Sequence, residues 1–265
     1  MSLFHYTKLD TFLDYIIPSG SLMANNLANM NDPRESYNWT FGSVNLPMDK
    51  LFPDDYSDNT HIDCQYKFGQ MVKDRFQVIC FSGAKHNGWD NEMMWAHYAD
   101  RQRGICLEFD EVKLFSAIRD HFPEIRFELQ AINYIRNRKQ KPWISWNGQI
   151  SDEDNLKNFL EILCREVTFN KSHFWEKEDE MRLLFLNHPD RLFIPFEESL
   201  KAIHIGLGIP KPQHEGIFNA LRGKNIELYV MIYENDQYQR WKLTKTNAGW
   251  YTSINEEDLS PQKLI

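Results

Sequence analysis

The segment KSHFWEKEDEMRLLF at residues 171–185 holds two carboxylates and a guanidinium at two-residue spacing. If residues 178–184 form a β-strand, Glu178, Glu180 and Arg182 point to one face, because strand side chains alternate. The other face then carries apolar residues, which are Met181, Leu183 and Phe185. The charged row fits a surface ladder of ion pairs, each contributing about 0–1 kcal/mol. It equally fits a polar cleft, where close carboxylates raise one another's pKa and the arginine fixes a charge.

A histidine and a threonine stand near the start of the chain, in the sequence FHYT at 4–7. His5 and Thr7 lie two residues apart, so on a strand both side chains point to one face, where they can bind one ligand. Thr7 also begins a T-x-x-D pattern with Asp10 that resembles a helix capping box. A cap would by itself account for the threonine, so both interpretations of Thr7 stay open.

The sequence NMNDPRE at 29–35 combines a turn with a further carboxylate. Asn31, Asp32 and the proline after them are good turn formers. Glu35 beyond the turn fits either a solvated position or a place in a polar site.

Two aromatic residues and a histidine occur together in MMWAHYADRQRG at 93–104. On a helix, Trp95 and Tyr98 are neighbours at i and i+3, so they can line one wall of a site. The alternative is core packing for both rings, with His97 exposed on the flank.

The composition excludes several classes of protein. The chain has 265 residues, of which 42% are hydrophobic and 26% charged, as in a soluble globular protein. Its net charge of −8 argues against a general nucleic-acid binder, whose phosphate contacts need a basic face. No apolar run approaches the roughly 20 residues that cross a bilayer. The start of the sequence lacks the basic and apolar blocks of a signal peptide, so we expect a cytoplasmic protein without membrane contact.

Common catalytic and metal-binding motifs are absent from the sequence. It contains no G-x-x-x-x-G-K-[ST], H-E-x-x-H or G-x-S-x-G. The four cysteines are widely spaced, without a C-x-x-C pair, and His and Asp show no spacing typical of metal ligands. The sequence therefore predicts neither a metal site nor a disulfide framework.

Strands and helices are interleaved without a regular β-α rhythm, and no linker divides the chain. We therefore expect one α+β domain over 1–265, with a mixed or antiparallel sheet flanked by helices. Hydrophobic patterning predicts strands at 3–7, 77–82, 104–109, 125–134, 179–185, 192–196 and 202–207. It predicts helices at about 9–18, 65–76, 91–99, 153–173 and 212–222, with Asp110 capping a further helix. A hairpin within 225–245 is expected to turn at Asn235-Asp236, and the basic run at 136–141 is expected to be a solvated loop.

Four motifs occur in order and together resemble a bacterial family catalogued as domain-of-unknown-function family 2971. They are the N-D-P-x-E turn, the C-F-S strand, the W-x-x-Y helix followed by G-I-C-L-E-F, and the W-x-x-E-x-E-x-R strand. The resemblance covers about residues 4–207. The family name carries no activity.

The opening of the chain also resembles that of ADP-ribosyltransferases: a strand bearing H-x-T, then a helix and a glycine-terminated turn. The resemblance implies a similar fold and NAD as substrate. His5 would hydrogen-bond a ribose, Thr7 would help to hold the nicotinamide end, and Glu180 or Glu178 would contact the nicotinamide ribose. Tyr98 would match the tyrosine in the middle of the pattern. The S-T-S triplet of the arginine-modifying toxins is absent from this sequence.

The chemistry that this second resemblance implies is coherent. Cleaving the nicotinamide glycosidic bond builds positive charge on the ribose, which a nearby carboxylate stabilises. Aromatic walls at Trp95 and Tyr98 would stack the nicotinamide, and Arg182 would hold the pyrophosphate or Glu180. Residues with a substrate-contacting or structural role would be Asn31, Asp32, Glu35, His97 and Trp175.

Two hypotheses follow for the function. The first is an NAD-consuming ADP-ribosyltransferase or NAD glycohydrolase, suited to conflict with phage. The second is a non-catalytic ligand-binding or defence-associated module that uses the same cleft for a small-molecule nucleotide. Both expect one cleft formed by His5, Trp95, Tyr98, Glu178, Glu180 and Arg182.

Overall fold

The structure is a computed structural model. It describes residues 1–36, 42–44, 69–70, 73–83, 87–136, 143–145, 147–163, 167–186, 190–246 and 249–252.

A mixed sheet of ten strands forms the centre of the protein. Its strands are β1 (Ser2–Thr7), β3 (Asn25–Asn26), β5 (Gln77–Ser82), β6 (Ile105–Asp110), β7 (Phe127–Ala131), β11 (Glu180–Phe185), β13 (Leu200–Ile205), β14 (Glu227–Glu234), β15 (Gln237–Thr246) and β16 (Gly249–Thr252). They lie in the order β16-β15-β14-β13-β6-β1-β5-β11-β7, and β3 also pairs with β5. Only the β13–β14 pair is parallel within this described sheet. The predicted fold class is thereby confirmed.

Within the described ranges, three pairs of short strands lie outside the main sheet. They are β2 (Ser21–Met23) with β12 (Phe193–Pro195), β4 (Gly42–Val44) with β9 (Trp143–Ser145), and β8 (Asn133–Ile135) with β10 (Asn170–Ser172). The β8–β10 pair is parallel and lies next to the start of β11, where Tyr134 of β8 touches Glu180. This pair therefore contributes to the candidate site described below.

One face of the main sheet carries the larger hydrophobic core. Alternate strand residues such as Leu107, Leu183 and Ile203 point into it. This face is covered by helices Glu111–His121 and Lys211–Ala220 and by a helical segment near the start of the chain. That segment consists of an α-helical turn at Leu9–Thr11, a π-helical turn at Phe12–Ile16 and a second α-helical turn at Ile17–Ser19. Gly20 then adopts a φ of 62°, a left-handed conformation that glycine tolerates and that ends the segment.

The opposite face is covered at its centre by helix Glu92–His97. Met94 and Trp95 of this helix pack against Phe4, Tyr6 and Cys106 of the sheet. The Asn91 side chain accepts from the Met94 amide and caps the helix. Glu180 and Arg182 of β11 also point to this second face, since their neighbours Met181 and Leu183 lie in the larger core.

Most predicted elements are confirmed within one or two residues. The hairpin of β14 and β15 turns at Asn235 and Asp236, both of which have positive φ. Asp110 caps helix Glu111–His121 by accepting from the Lys113 amide at 3.0 Å. The predicted strand at 125–134 is interrupted at Ile132 and forms β7 and β8.

Two local predictions are wrong. The helix predicted at 153–173 is described over Asp152–Leu163, and residues 167–168 are again helical. Its expected last turn is instead strand β10, because the apolar stripe lapses there and tertiary contacts hold Lys171. The capping role of Thr7 is also wrong: Lys8 precedes the helix, and no side chain caps it.

Two further predictions fall mainly on parts of the chain outside the described residues. Of the helix predicted at 65–76, residues 69–70 and 73–74 are described as helical. Of the basic run at 136–141, only Arg136 is described.

Candidate functional site

A cleft opens where β1 and β5 separate. These strands pair at Phe4 and Ser82, whereas further along β5 the residues Gln77 and Val78 pair with β3 instead. The cavity in the gap has a volume of about 270 Å³. Its polar lining comes from β1, β3 and the residues after it, β5, the end of helix Glu92–His97, β10, the segment before β11, and β11 itself. The polar residues are His5, Asn25, Asn29, Asn31, Cys80, Tyr98, Lys171, Glu178 and Glu180.

The imidazole of His5 bridges this gap. Its Nδ1 donates to the Cys80 carbonyl at 2.9 Å, and its ring packs edge-on against Phe81 with centroids 6.0 Å apart. Burial lowers the pKa of His5, although the bond to Cys80 opposes the shift. The ring is therefore neutral at pH 7 and serves as a hydrogen-bonding group.

Arg182 forms the inner end of the site and is completely buried. Its Nε donates to Glu180 Oε1 at 2.7 Å, and its Nη1 donates to the Thr168 carbonyl at 2.6 Å and to Glu35. The alternative of a surface ladder of ion pairs is therefore wrong for this strand, because the three charged side chains of the cluster are shielded from water.

Lys171 connects the two predicted carboxylates. Its Nζ donates to Glu178 Oε2 at 2.5 Å and to Glu180 Oε2 at 3.1 Å. The hydroxyl of Tyr98 donates to the other oxygen of Glu178 at 2.5 Å, and the Asn31 amide donates to that hydroxyl at 3.4 Å. A continuous polar network thus runs from the cavity wall to Arg182.

Glu178 reaches this network from a turn and not from a strand. It ends the 3₁₀ helix His173–Glu178, and Asp179 follows with a φ of 49° before β11 begins at Glu180. The strand predicted at 179–185 is therefore confirmed from Glu180 onwards, and the interpretation that placed Glu178 on this strand is wrong. With the left-handed residue between them, Glu178 and Glu180 both accept from the same ammonium group, that of Lys171.

The two carboxylates differ in their electrostatics. Burial would raise the pKa of Glu180, but Arg182 and Lys171 outweigh it and lower that pKa to about 2. Burial raises the pKa of Glu178 and of Glu35, and the attraction of Lys171 and Arg182 only partly offsets this. Glu180 is therefore the carboxylate that stays ionised at any physiological pH.

The N-D-P-x-E turn anchors the site from the other side. Asp32 is buried, and its carboxylate accepts from the Ser172 amide at 3.1 Å, next to Lys171. Glu35 is completely buried against Arg182. The alternative of a solvated Glu35 is wrong, and the motif is explained by two contacts that fix β10 and Arg182.

Other predicted residues lie outside the cavity. Trp95 is fully buried, donates its indole N–H to the Trp89 carbonyl at 2.8 Å and packs on Tyr6, so it is a core residue rather than a wall of the cleft. His97 is exposed and lines a separate depression of about 1010 Å³ beside the cleft. Thr7 is buried at the end of β1.

Trp175 lies next to the network, although it does not line the cavity. Its ring centroid is 5.0 Å from Lys171 Nζ, a cation–π contact. Of the six residues expected in one cleft, four line the cavity: His5, Tyr98, Glu178 and Glu180. Arg182 instead contacts Glu180, and Trp95 lies in the core.

Three site residues were missed by the sequence reasoning. Lys171 was assigned to a helix, Tyr134 to a plain strand, and Cys80 to a buried strand. Tyr134 accepts from the Glu180 amide at 2.9 Å. Lys171 lies four residues before Trp175, the first residue of the W-x-x-E-x-E-x-R motif, and this nearness to the motif was the available signal.

Within the described residues, no group of three or more His, Cys, Asp or Glu side chains is arranged to hold a metal ion. No helix in the same ranges has the length and apolar content needed to cross a bilayer.

Comparisons with known proteins give one similarity. No curated protein and no solved structure matches the chain. A family model does match over residues 94–183, a range that holds Tyr98, Lys171, Glu178, Glu180 and Arg182. The chain is accordingly similar, over this central third, to the family described as "Protein of unknown function (DUF2971)".

Proposed function

We propose that this protein consumes NAD, as an ADP-ribosyltransferase or an NAD glycohydrolase, and that the β1–β5 cleft is its active site. The observation that carries the proposal is that His5, Glu178 and Glu180 line one cavity, although His5 is far from the two glutamates in the sequence. These are the two kinds of group that NAD glycosidic cleavage would use: a hydrogen-bonding group for a ribose and an ionised carboxylate.

The charge of the cavity suits the reaction. Its described charged or titratable lining includes one ammonium, Lys171, and two carboxyl groups, Glu178 and Glu180. The nicotinamide ring of NAD is cationic, and breaking its bond to ribose moves positive charge onto the sugar. Glu180 has a pKa of about 2 and is therefore ionised when that charge develops.

The size of the cavity suits one end of a dinucleotide. At about 270 Å³ it is near the lower limit of ligand pockets, which is roughly 300 Å³. Nicotinamide and its ribose would occupy it, with the Tyr98 ring and Met30 as walls and the Asn31 amide as a hydrogen-bond donor. The remainder of NAD would extend outward from the cleft.

The test is nicotinamide release from NAD by the whole protein. Glu180→Gln removes the charge facing the ribose and should lower the rate about 30- to 1,000-fold, because a preorganised charge contributes about 2–4 kcal/mol to the transition state. Because Glu180 is buried between two cations, the variant also loses stability, so the rate is divided by the folded fraction from circular dichroism. Glu215→Gln, on an exposed helix position, is the matched control.

Tyr98→Phe provides a second variant, which keeps the ring but removes the hydroxyl that donates to Glu178. Loss of a hydrogen bond to a charged group costs about 1.5–3 kcal/mol in stability, so the release rate is again divided by the folded fraction, and the corrected rate should still fall. Absence of nicotinamide release from the wild type would contradict an NAD-consuming enzyme. If the wild type instead binds NAD in calorimetry without cleaving it, the ligand-binding module is the correct alternative.

A further inference from the structure

Lys171 occupies a supported position between the two carboxylates. It lies in the middle of β10, whose parallel partner β8 places Tyr134 directly opposite. Both residues of this pair contact Glu180, Tyr134 through the Glu180 amide and Lys171 through Oε2. The Trp175 ring lies 5.0 Å from the ammonium on a further side. Strand pairing and an aromatic ring therefore restrict where the ammonium can move.

The two cations of the network, Lys171 and Arg182, share Glu180 but differ in their second carboxylate partner. Arg182 is shared between Glu180 and Glu35. Glu178 is paired with Lys171, which also contacts Glu180. Glu178 therefore depends on Lys171 for its charge balance, whereas Glu180 keeps Arg182 if Lys171 is neutralised.

We propose that Lys171 is a positioning residue, which holds Glu178 and Glu180 a fixed distance apart and keeps Glu178 ionised towards the cleft. The catalytic part of this inference rests on the proposed function, because Lys171 would arrange the carboxylates that face the nicotinamide ribose. It does not depend on that function for its test, because the ionisation of Glu178 can be measured directly.

The proposal has a definite consequence for pH. Burial and the charge of Glu180 raise the pKa of Glu178, and Lys171 is the main opposing attraction. Loss of the ammonium therefore raises this pKa further, by roughly 1–3 units, which is the usual effect of a close opposite charge. Other titratable or charged groups near the two carboxylates, which all remain in the variant, are His5, Glu35, Cys80, Tyr98, Tyr134 and Arg182.

The experiment compares four proteins: wild type, Lys171→Met, Lys171→Arg and Lys177→Met. Glutamate carboxyl carbons are labelled with ¹³C and titrated by NMR, with the Glu178 signal assigned from its loss in Glu178→Gln. In Lys171→Met the Glu178 carboxyl should titrate about 1–3 pH units higher than in the wild type. Lys171→Arg keeps the charge and should keep the wild-type titration. Lys177→Met removes an exposed charge from the same segment and is the matched control.

The nicotinamide release assay is run on the same proteins as a function of pH. In Lys171→Met the acidic limb of the rate profile should move up by the same 1–3 units, because activity is lost once Glu178 takes a proton. If Lys171→Met does not fold, Lys171→Gln replaces it, since an amide still donates to both carboxylates without a charge.

Two results are distinguished by this design. An unchanged Glu178 titration in the neutral variant overturns the role of Lys171, whatever the activity. A shifted titration in a protein whose wild type releases no nicotinamide supports the role of Lys171 and contradicts the proposed enzymatic function alone.

Discussion

Arg182 is the residue on which the buried part of the site depends. Its guanidinium joins Glu180 on its own strand, Glu35 from the N-D-P-x-E turn and the Thr168 carbonyl. A charge in such a position is tolerated only because partners surround it, and removing one partner leaves the rest uncompensated. The arginine therefore ties three separate stretches of sequence to one point.

Glu35→Gln should destabilise the protein while leaving the residues that line the cavity unchanged. The amide keeps the shape but removes a buried negative charge beside Arg182, so we expect a loss of about 3–5 kcal/mol in the free energy of unfolding. For a protein of this size that corresponds to roughly 6–20 °C in melting temperature. Calorimetry of Glu35→Gln beside Glu215→Gln measures the difference, and equal melting temperatures would show that the Glu35–Arg182 pair contributes nothing.

At the scale of elements, close backbone packing explains why the G-I-C-L-E-F motif has a glycine, Gly104, before the strand. The chain passes here between the end of β1 and the turn after helix Glu92–His97. A methyl group on Gly104 would overlap the Thr7 carbonyl oxygen and lie 2.8 Å from the Ala99 Cα. All of these are backbone atoms, so no side chain can move aside to make room.

Gly104→Ala should therefore destabilise the protein, by about 1–3 kcal/mol as in other overpacked sites. The displacement would act on β1, which carries His5. Gly148→Ala is the control, because nothing lies within 4 Å of the added methyl group there. Chemical denaturation of both variants measures the effect, and a Gly104→Ala midpoint equal to that of the control would be inconsistent with the close backbone approach.

The sequence predicts the strands of the site better than it predicts their ends. Alternation along β11 correctly predicts that Met181 and Leu183 face the core and that Glu180 faces the other side. The prediction is unambiguous because a shift by one residue would turn every apolar side chain away from the core. The left-handed conformation of Asp179 has no such signature in the sequence pattern, so the start of β11 is not predicted. Lys171 is misassigned because residues around it continue a plausible helix until tertiary contacts override local preference.

The cleft itself is less accessible to sequence reasoning. It exists because β5 pairs with β1 at one end and with β3 at the other, and such long-range sharing of one strand edge leaves no local pattern. Motif order was the useful signal for the residues that converge on it. Trp95 shows the limit of that signal, since a motif tryptophan at helical spacing proves to be core.

At the scale of the whole molecule, a second polar cluster connects the central strands to the C-terminal hairpin. His204 of β13 is fully buried and stacks on Tyr229, with ring centroids 5.2 Å apart. Its Nε2 lies 3.2 Å from Glu108, which also accepts from Lys201 at 3.0 Å. Burial would raise the pKa of Glu108, but His204 and its other donors outweigh it and lower that pKa to about 2.

Protonation of His204 should couple to the stability of the whole domain. Burial lowers its pKa below the usual 6.5, although Glu108 opposes the shift. The unfolded chain therefore binds this proton more readily, so the histidine's contribution is complete above about pH 6.5 and is lost as the pH falls towards the folded-state pKa. Glu35 and Glu178 act in the opposite direction, because their pKa values are raised on folding.

The comparison of His204→Gln with the wild type isolates the contribution of His204 protonation to the stability of the protein. As the pH is lowered from 7.5 to 5, the melting temperature of the wild type should fall relative to that of His204→Gln, which has no proton to bind at this position. Replacing the exposed His97 by Gln should leave the wild-type pH dependence in place. Parallel curves for the wild type and His204→Gln would exclude His204 as the linked group.

The left-handed backbone at Asp179 gives the two acidic residues of the site independent supports. Glu180 is fixed by the ladder of β11 between β5 and β7, whereas Glu178 is fixed by the turn His173–Glu178. A change in the length or sequence of that turn can re-aim Glu178 while the sheet continues to hold Glu180. The site is modular in this respect: one carboxylate is carried by the hydrogen-bonded framework of the sheet, and the other by a short segment whose redesign would leave the strand pairing intact.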